Sequence, residues 1–234
     1  MPRYIAALIR HGDYHQLART PSAHQPFALN SAGREHARTG ARALHKIIRK
    51  NEWTLMNTID CSRMQRAWQS ARIIADYLQP KVGEEFTLEE YDALAERGVG
   101  SAANLSTRQI EEILHRDCRY TDPPANWKAD SLYRLPLQGA ESLLDAGIRV
   151  ATHLNEQMAN IPEHVEKDVV KLFVGHGAAF RHAAFHLGVL EFEQLSKLSM
   201  HHGGALFLEF NPQSEWRHIA GEWKQRAPKS EFID

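Results

Sequence analysis

The chain opens on an unbroken apolar run, Tyr4-Ile5-Ala6-Ala7-Leu8-Ile9, that stops at Arg10-His11-Gly12. A run of that kind predicts a strand buried on both faces, as in a parallel sheet covered by helices. A polar stretch from Asp13 to Asn30 predicts a loop, long for a compact domain. Apolar spacing at Ala37, Ala41, Leu44 and Ile47-Ile48 predicts a helix from about Ser31 to Lys50. Leu55 to Cys61 reads as a second strand. Ser62 is placed to cap a helix that buries Ala67, Ala71, Ile74-Ala75 and Leu78. A short strand follows at Glu85–Leu88, then a glycine-punctuated loop over Ala93–Gly100 and a short helix over Thr107–Leu114. Residues 117–138, with Pro123-Pro124, Trp127 and Pro136, read as an excursion from the core, with Trp127 packing against the surface and a lid as the alternative. Glu141 opens a long amphipathic helix with Leu144, Ile148, Ala151 and Leu154 on one face. Val169–Val174 is a second buried strand, ending at Gly175-His176-Gly177 and followed by a helix to about Leu187 and a short one after Glu191. Ala205–Phe210 and Trp216–Ile219 read as a hairpin. Alternating strands and helices predict an α/β sandwich around a mostly parallel sheet. No linker divides the chain, so 1–234 reads as one domain with insertions at about 13–30 and 98–138.

Composition changes this picture little. Hydrophobic content of 43% and charged content of 24% are ordinary for a globular protein. A formal net charge of −1 supplies no basic field, which argues against nucleic acid as a partner and requires any anion site to be local. Most of the fourteen histidines are expected on the surface. Two cysteines, Cys61 and Cys118, in no metal-ligand spacing, favour a reduced, cytoplasmic setting, with one disulfide as the alternative. No apolar run reaches the roughly 20 residues that span a bilayer, and the N-terminus has no signal-peptide pattern, so no membrane partner is expected.

Candidate chemistry sits where strands end. Arg10-His11, the Ser62–Arg66 segment and His176 each follow a predicted strand, and in a parallel sheet those ends share one edge. A histidine at a strand end is more often a satisfied core residue. Two of them, each beside glycine and joined by two arginines, form a pocket for a dianion instead. Arginine supplies planar paired donors to phosphate oxygens, and the amides opening the helix after His176 add to the anion site. Glycine at position 12 is read as letting the backbone approach the anion.

These segments resemble the histidine phosphatase superfamily, the phosphoglycerate-mutase-like clan, over Ile5 to about Leu208. Leu8-Ile9-Arg10-His11-Gly12 resembles its signature strand end, and Leu29-Asn30-Ser31-Ala32-Gly33-Arg34-Glu35 its opening of the first helix. Ser62-Arg63-Met64-Gln65-Arg66-Ala67 resembles the segment whose last arginine, here Arg66 rather than Arg63, contacts phosphate. Gly139-Ala140-Glu141-Ser142 resembles the start of the long helix, with one extra residue, and Val174-Gly175-His176-Gly177 the second-histidine motif. His-Gly in place of His-Asp points away from the acid phosphatase and phytase branch. The resemblance implies a three-layer α/β/α sandwich and catalysis without cofactor or metal. It implies a phosphohistidine on His11, with Arg10, Arg66 and His176 on the phosphoryl oxygens and Gly177, Tyr14 and Arg97 as substrate contacts. Leu94-Ala95-Glu96-Arg97 resembles the loop that carries the general acid, which gives Glu96 that role; Asp13 is the rival. Tyr14-His15 after Arg10-His11 resembles the mitochondrial Ser/Thr phosphatase branch called phosphoglycerate mutase family member five. His201-His202-Gly203-Gly204 reads as a structural turn rather than a metal site.

The expected activity is a metal-independent phosphomonoesterase acting on a phosphorylated small molecule or a phosphoprotein. A phosphoglycerate mutase is the alternative, weakened by Asp13-Tyr14 and Leu17 where mutases carry a Glu-Ser pair and a later Asn. A protein phosphatase acting on phosphoserine, phosphothreonine or phosphohistidine, and a non-catalytic phosphate-binding module, are further alternatives.

Overall fold

The computed structural model describes residues 2–21, 24–162, 165–211 and 215–226. The apolar N-terminal run forms strand β1 (Tyr4–Arg10), followed by helix α1 (Ser31–Lys50), strand β2 (Thr54–Ser62), helix α2 (Gln65–Val82) and strand β3 (Thr87–Tyr91). Helix α3 (Thr107–Arg116), helix α4 (Leu143–Ala159), strand β4 (Val169–Gly175) and helix α5 (Gly177–His186) come next. Strands β5 (Leu198–Ser199), β6 (Ala205–Asn211), β7 (Glu215–Ala220) and β8 (Lys224–Gln225) finish the described chain.

Six strands make one sheet in the order β3-β2-β4-β1-β6-β7. The first four are mutually parallel, while β6 runs antiparallel to both β1 and β7. Alternation along β1 splits the core into two. Ile5, Ala7 and Ile9 face α1 and α2 with Ala41, Leu44, Ala71, Ile74 and Leu78, whereas Ala6 and Leu8 face α4 and α5 with Val150, Leu154, Phe180 and Ala183. A strand with both faces covered is predominantly apolar, which is why β1 and β4 read as near-continuous apolar runs. The result is the three-layer α/β/α sandwich.

Lys171, the one charge in β4, is buried, and its Nζ lies 2.8 Å from Asp60 Oδ1 on β2. His153 on α4 meets the other carboxylate oxygen at 3.0 Å. A charge kept out of water has to be paired in this way.

Several boundaries differ from the sequence reading. Ser142, not Glu141, caps α4, in a capping box with Asp145, and the buried stripe runs through Ala146, Val150, Ala151, Leu154 and Met158. Ile148 is half exposed instead, because Val150, Ala151, Leu154 and Met158 form the face packed on the sheet and turn it outward. The edge strand lies at Thr87–Tyr91 rather than Glu85–Leu88, and the turn after Glu191 is a single 3-10 turn, Phe192–Gln194. Strands β5 and β8 are too short for any periodic signal. Residues 98–138 carry their own small core of Val99, Ala102, Ile110, Leu114, Trp127, Leu135 and Ala140. Trp127 packs inside it, and its indole N–H donates to Glu111 at 2.9 Å. His11, His153, His176 and His182 are buried, and the other described histidines are exposed or partly buried. Cys61 is buried, Cys118 is exposed, and both are free thiols. No helix among the described residues is long and apolar enough to cross a membrane.

Candidate active site

Parallel pairing builds the site. Register sets Arg10 of β1 beside Gly175 of β4, so the residues that follow, His11 and His176, leave the same sheet edge. Their rings lie 4.9 Å apart, nearly edge to face. On the other side, the turn before β6 closes onto β1 through Gly203 N–H to Arg10 O at 2.9 Å and Arg10 N–H to Gly204 O at 3.2 Å. Gly203 has φ +71, and a Cβ there would stand 2.3 Å from the His36 carbonyl oxygen, so the turn requires glycine.

His11 is fixed in one tautomer. Its Nδ1 lies 2.6 Å from the Gly12 carbonyl, which only accepts, so Nδ1 carries the proton. Nε2 then presents a lone pair, which accepts from Arg66 Nε at 3.2 Å. Burial, with Arg66 and Arg10 nearby, holds the imidazole well below its ordinary pKa and therefore neutral. Gly12 serves packing rather than anion approach: a Cβ there would stand 2.1 Å from the Gly33 carbonyl oxygen, because the first turn of α1 lies directly on it.

Arg66, in the first turn of α2, is fully buried. Its Nη1 donates to Gln25 O at 2.8 Å and its guanidinium covers the Tyr14 ring at 4.5 Å. Arg10 is anchored by Nη1 to Met200 O at 2.8 Å. His176 Nε2 lies 3.0 Å from Ser62 Oγ. That hydroxyl also accepts from Met64 N–H at 3.3 Å and, with its own proton and a second lone pair, can pair with either tautomer of His176. His176 Nδ1 is buried without a hydrogen-bond partner among the described residues. Burial and the Arg66 and Arg10 charges hold this ring neutral also. Ser62 therefore supports the second histidine, and Met64 occupies the α2 N-cap position without a side-chain cap.

A pocket at this edge is lined by Arg10, His11, Tyr14, Gln16, Glu96, Gly177, Ala178, Arg181 and Ser199. Glu96 Oε1 accepts from the Ala179 amide in the first turn of α5 at 3.1 Å and from the Arg97 amide at 3.0 Å. Tyr14 carries a buried hydroxyl without a partner among the described residues, its pKa pushed up to about 12 by burial. It stays a neutral donor.

Among the residues nominated from sequence, His11, Arg10, Glu96, Tyr14 and Gly177 line the pocket, with Arg66 and His176 directly behind His11. Arg97 does not line it. Its guanidinium is buried 5.9 Å from the Trp127 ring and donates to Lys128 O at 3.3 Å, facing the 98–138 insertion. Asp13 lies outside the lining too. Burial works to raise its pKa, but bonds from Asn30 and the Tyr14 backbone outweigh that and leave it below its ordinary value. The partner is Asn30, the α1 cap, which donates to Asp13 Oδ2 at 2.8 Å while accepting from Gly33 N–H at 2.7 Å. Arg63 is exposed and pairs with Asp92, and His15 is exposed. His202, its ring 5.9 Å from His11, is partly buried, and no cluster able to hold a metal occurs among the described residues.

Gln16, Arg181 and Ser199 escaped sequence reading. Arg181 sits on α5 five residues after His176, and its Nη1 bonds Leu198 O at 2.9 Å. The position of an arginine after a strand-end histidine was a usable signal; Gln16 and Ser199 left none.

The histidine phosphatase superfamily (branch 1) matches residues 6–219. A comparison with curated proteins finds no match. Among solved structures, a mycobacterial hydrolase superposes with a TM-score of 0.70 at 19% identity, covering 93% of this chain and 97% of its own. A mycobacterial glucosyl-3-phosphoglycerate phosphatase gives 0.66 at 20% identity, over 92% and 96%. A phosphoserine phosphatase from Entamoeba histolytica gives 0.60 at 16%, over 93% and 96%. At such identities the likeness is one of fold.

Proposed function

Because the chain belongs to the histidine phosphatase superfamily (branch 1), we propose that it hydrolyses a phosphomonoester through a phosphohistidine on His11. The observation that carries this reading is the fixed tautomer: Nδ1–H is spent on Gly12 O, and the Nε2 lone pair lies against a guanidinium at the pocket. An entering phosphate dianion exchanges the Arg66–His11 bond for Arg66–oxygen bonds and frees that lone pair. Nε2 attacks phosphorus and the P–O ester bond breaks. The leaving oxygen takes a proton from Glu96, which lines the same pocket. Charge gathering on the phosphoryl oxygens meets Arg10, Arg66 and His176. The positive imidazole that forms is stabilised through Nδ1–H by the Gly12 carbonyl. Water, giving its proton back to Glu96, then cleaves the P–N bond and releases inorganic phosphate.

Glu96 is favoured over Asp13 because it faces the pocket, whereas Asp13 is engaged with Asn30. A slender phosphomonoester, on a small molecule or a protein side chain, suits a nucleophile only 4% exposed. The mutase alternative is disfavoured by the absence of adjacent arginines in residues 117–138. Two free thiols suit a reduced, cytoplasmic setting.

The test is rapid quenching into alkaline detergent with a 32P-labelled phosphomonoester. Wild type should retain label that is stable in base and released by acid, as a phosphoramidate is, and His11→Ala should retain none. Label persisting in His11→Ala overturns the proposal. Inorganic phosphate, rather than a phosphoryl-shifted isomer, should accumulate.

A further inference from the structure

Glu96 sits in irregular backbone between β3 and the 98–138 insertion, so its place in the pocket has to be imposed from outside. Arg149, on α4, lies beneath it. A single guanidinium nitrogen, Nη1, donates to three consecutive-loop carbonyls: Ala93 O at 2.7 Å, Ala95 O at 3.1 Å and Asp92 O at 3.3 Å. The other side of the guanidinium meets Glu141, with Nη2 to Oε1 at 2.6 Å and Nε to Oε2 at 3.4 Å. Glu141 Oε1 also accepts from Gly98 N–H at 2.9 Å, and the Glu141 amide donates back to Gly98 O at 3.0 Å. The chain is thus gripped at 92–95 on one side of Glu96 and at Gly98 on the other, by one ion pair. Neither member lines the pocket.

Four charge-assisted bonds land on Asp92, Ala93, Ala95 and Gly98, on both sides of one carboxylate. Their common effect is to hold the Glu96 Cα while the Ala179 and Arg97 amides orient Oε1. Oε2 makes no hydrogen bond to the described residues, which leaves it available to a proton and to the leaving oxygen. Arginine is required here: its planar fork reaches carbonyls with one nitrogen and a carboxylate with the others, and an ammonium does not.

From this arrangement we infer that Arg149 and Glu141 form a positioning clamp for the Glu96 carboxyl, acting on leaving-group protonation and not on phosphate binding. The inference rests on Glu96 as general acid. A clamp of this kind has a signature that a purely structural ion pair lacks. Loss of general-acid catalysis costs most when the leaving group is a strong base and little when it departs unaided, as p-nitrophenolate does.

The experiment compares kcat/KM on p-nitrophenyl phosphate and on glycerol 2-phosphate for the wild type, Arg149→Gln, Glu141→Gln and Glu96→Gln. Glu96→Gln should lose about 100-fold or more on the alkyl ester, within the range for a general acid, and only a few-fold on the aryl ester. Arg149→Gln and Glu141→Gln should show the same split at roughly 10-fold. Equal losses on both esters in the clamp variants, with the split intact in Glu96→Gln, overturn the clamp. No split in Glu96→Gln overturns the general-acid assignment instead. Thermal melting accompanies each assay. Arg149→Lys, which retains the Glu141 pairing without the fork, covers the case in which Arg149→Gln fails to fold, and should show a smaller split of the same sense.

Discussion

His176 donates or accepts at the phosphate according to where its single proton sits, and a serine holds its other nitrogen. The Ser62 hydroxyl accepts from Met64 N–H and meets His176 Nε2 at 3.0 Å. Ser62→Ala removes the partner of Nε2, so the ring loses its fixed orientation and its tautomer balance changes. We expect kcat/KM to fall about tenfold, equivalent to ~1.4 kcal/mol, with long-range 15N spectra showing a changed tautomer balance at His176. Ser62→Thr should restore both. An unchanged spectrum in Ser62→Ala would contradict the assignment. The nitrogen and arginine types at this site were legible from sequence because each follows an apolar run; Ser62 was visible too, but cap and histidine partner look alike until the strand beside it is known. Arg97 misled because neighbouring residues in irregular backbone point in unrelated directions, with no period to separate them.

At the level of elements, the strands and long helices were legible from apolar spacing, and the errors fall where side chains outside the window decide. The α4 stripe is shifted from its expected face because Ala146, Val150, Leu154 and Met158, rather than Leu144 and Ile148, carry the packing against the core. Within the insertion at 98–138 the pattern predicts the Thr107–Leu114 helix and an excursion at 117–138 but not their shared core, because that core is assembled from α3, Trp127 and Leu135, separated by turns. That satellite core depends on its largest member. Trp127→Ala should cost about 3–5 kcal/mol of local stability. Hydrogen exchange should show it, with α3 amides losing protection while β1 and β4 keep theirs. Equal loss across the molecule would mean that the insertion does not open by itself.

Over the whole molecule, buried imidazoles set the response to acid. His182 Nδ1–H donates to Ala178 O and Nε2 accepts from Ser131, and burial, reinforced by Arg181, lowers its pKa to about 3. His202 is lowered to about 4 by burial and Arg10, and His11 and His176 shift the same way. An unfolded chain takes up these protons near the ordinary imidazole value of about 6.5, so below that pH it binds more protons than the folded one. Stability should therefore be at its plateau above about pH 7 and fall steadily as pH drops from about 6.5 towards 4. Urea titrations across this range check it, and His182→Gln should give a shallower decline. A flat profile would contradict the buried-neutral state.

The order of strands in the sheet has a consequence for biosynthesis. β1 lies at the centre, hydrogen-bonded to β4 and β6, yet it is translated before both neighbours, which follow only after residue 168. Throughout that interval a largely apolar ribbon has no native neighbour to pair with. A nascent chain stalled before β4 would therefore display a sticky segment rather than a weak enzyme.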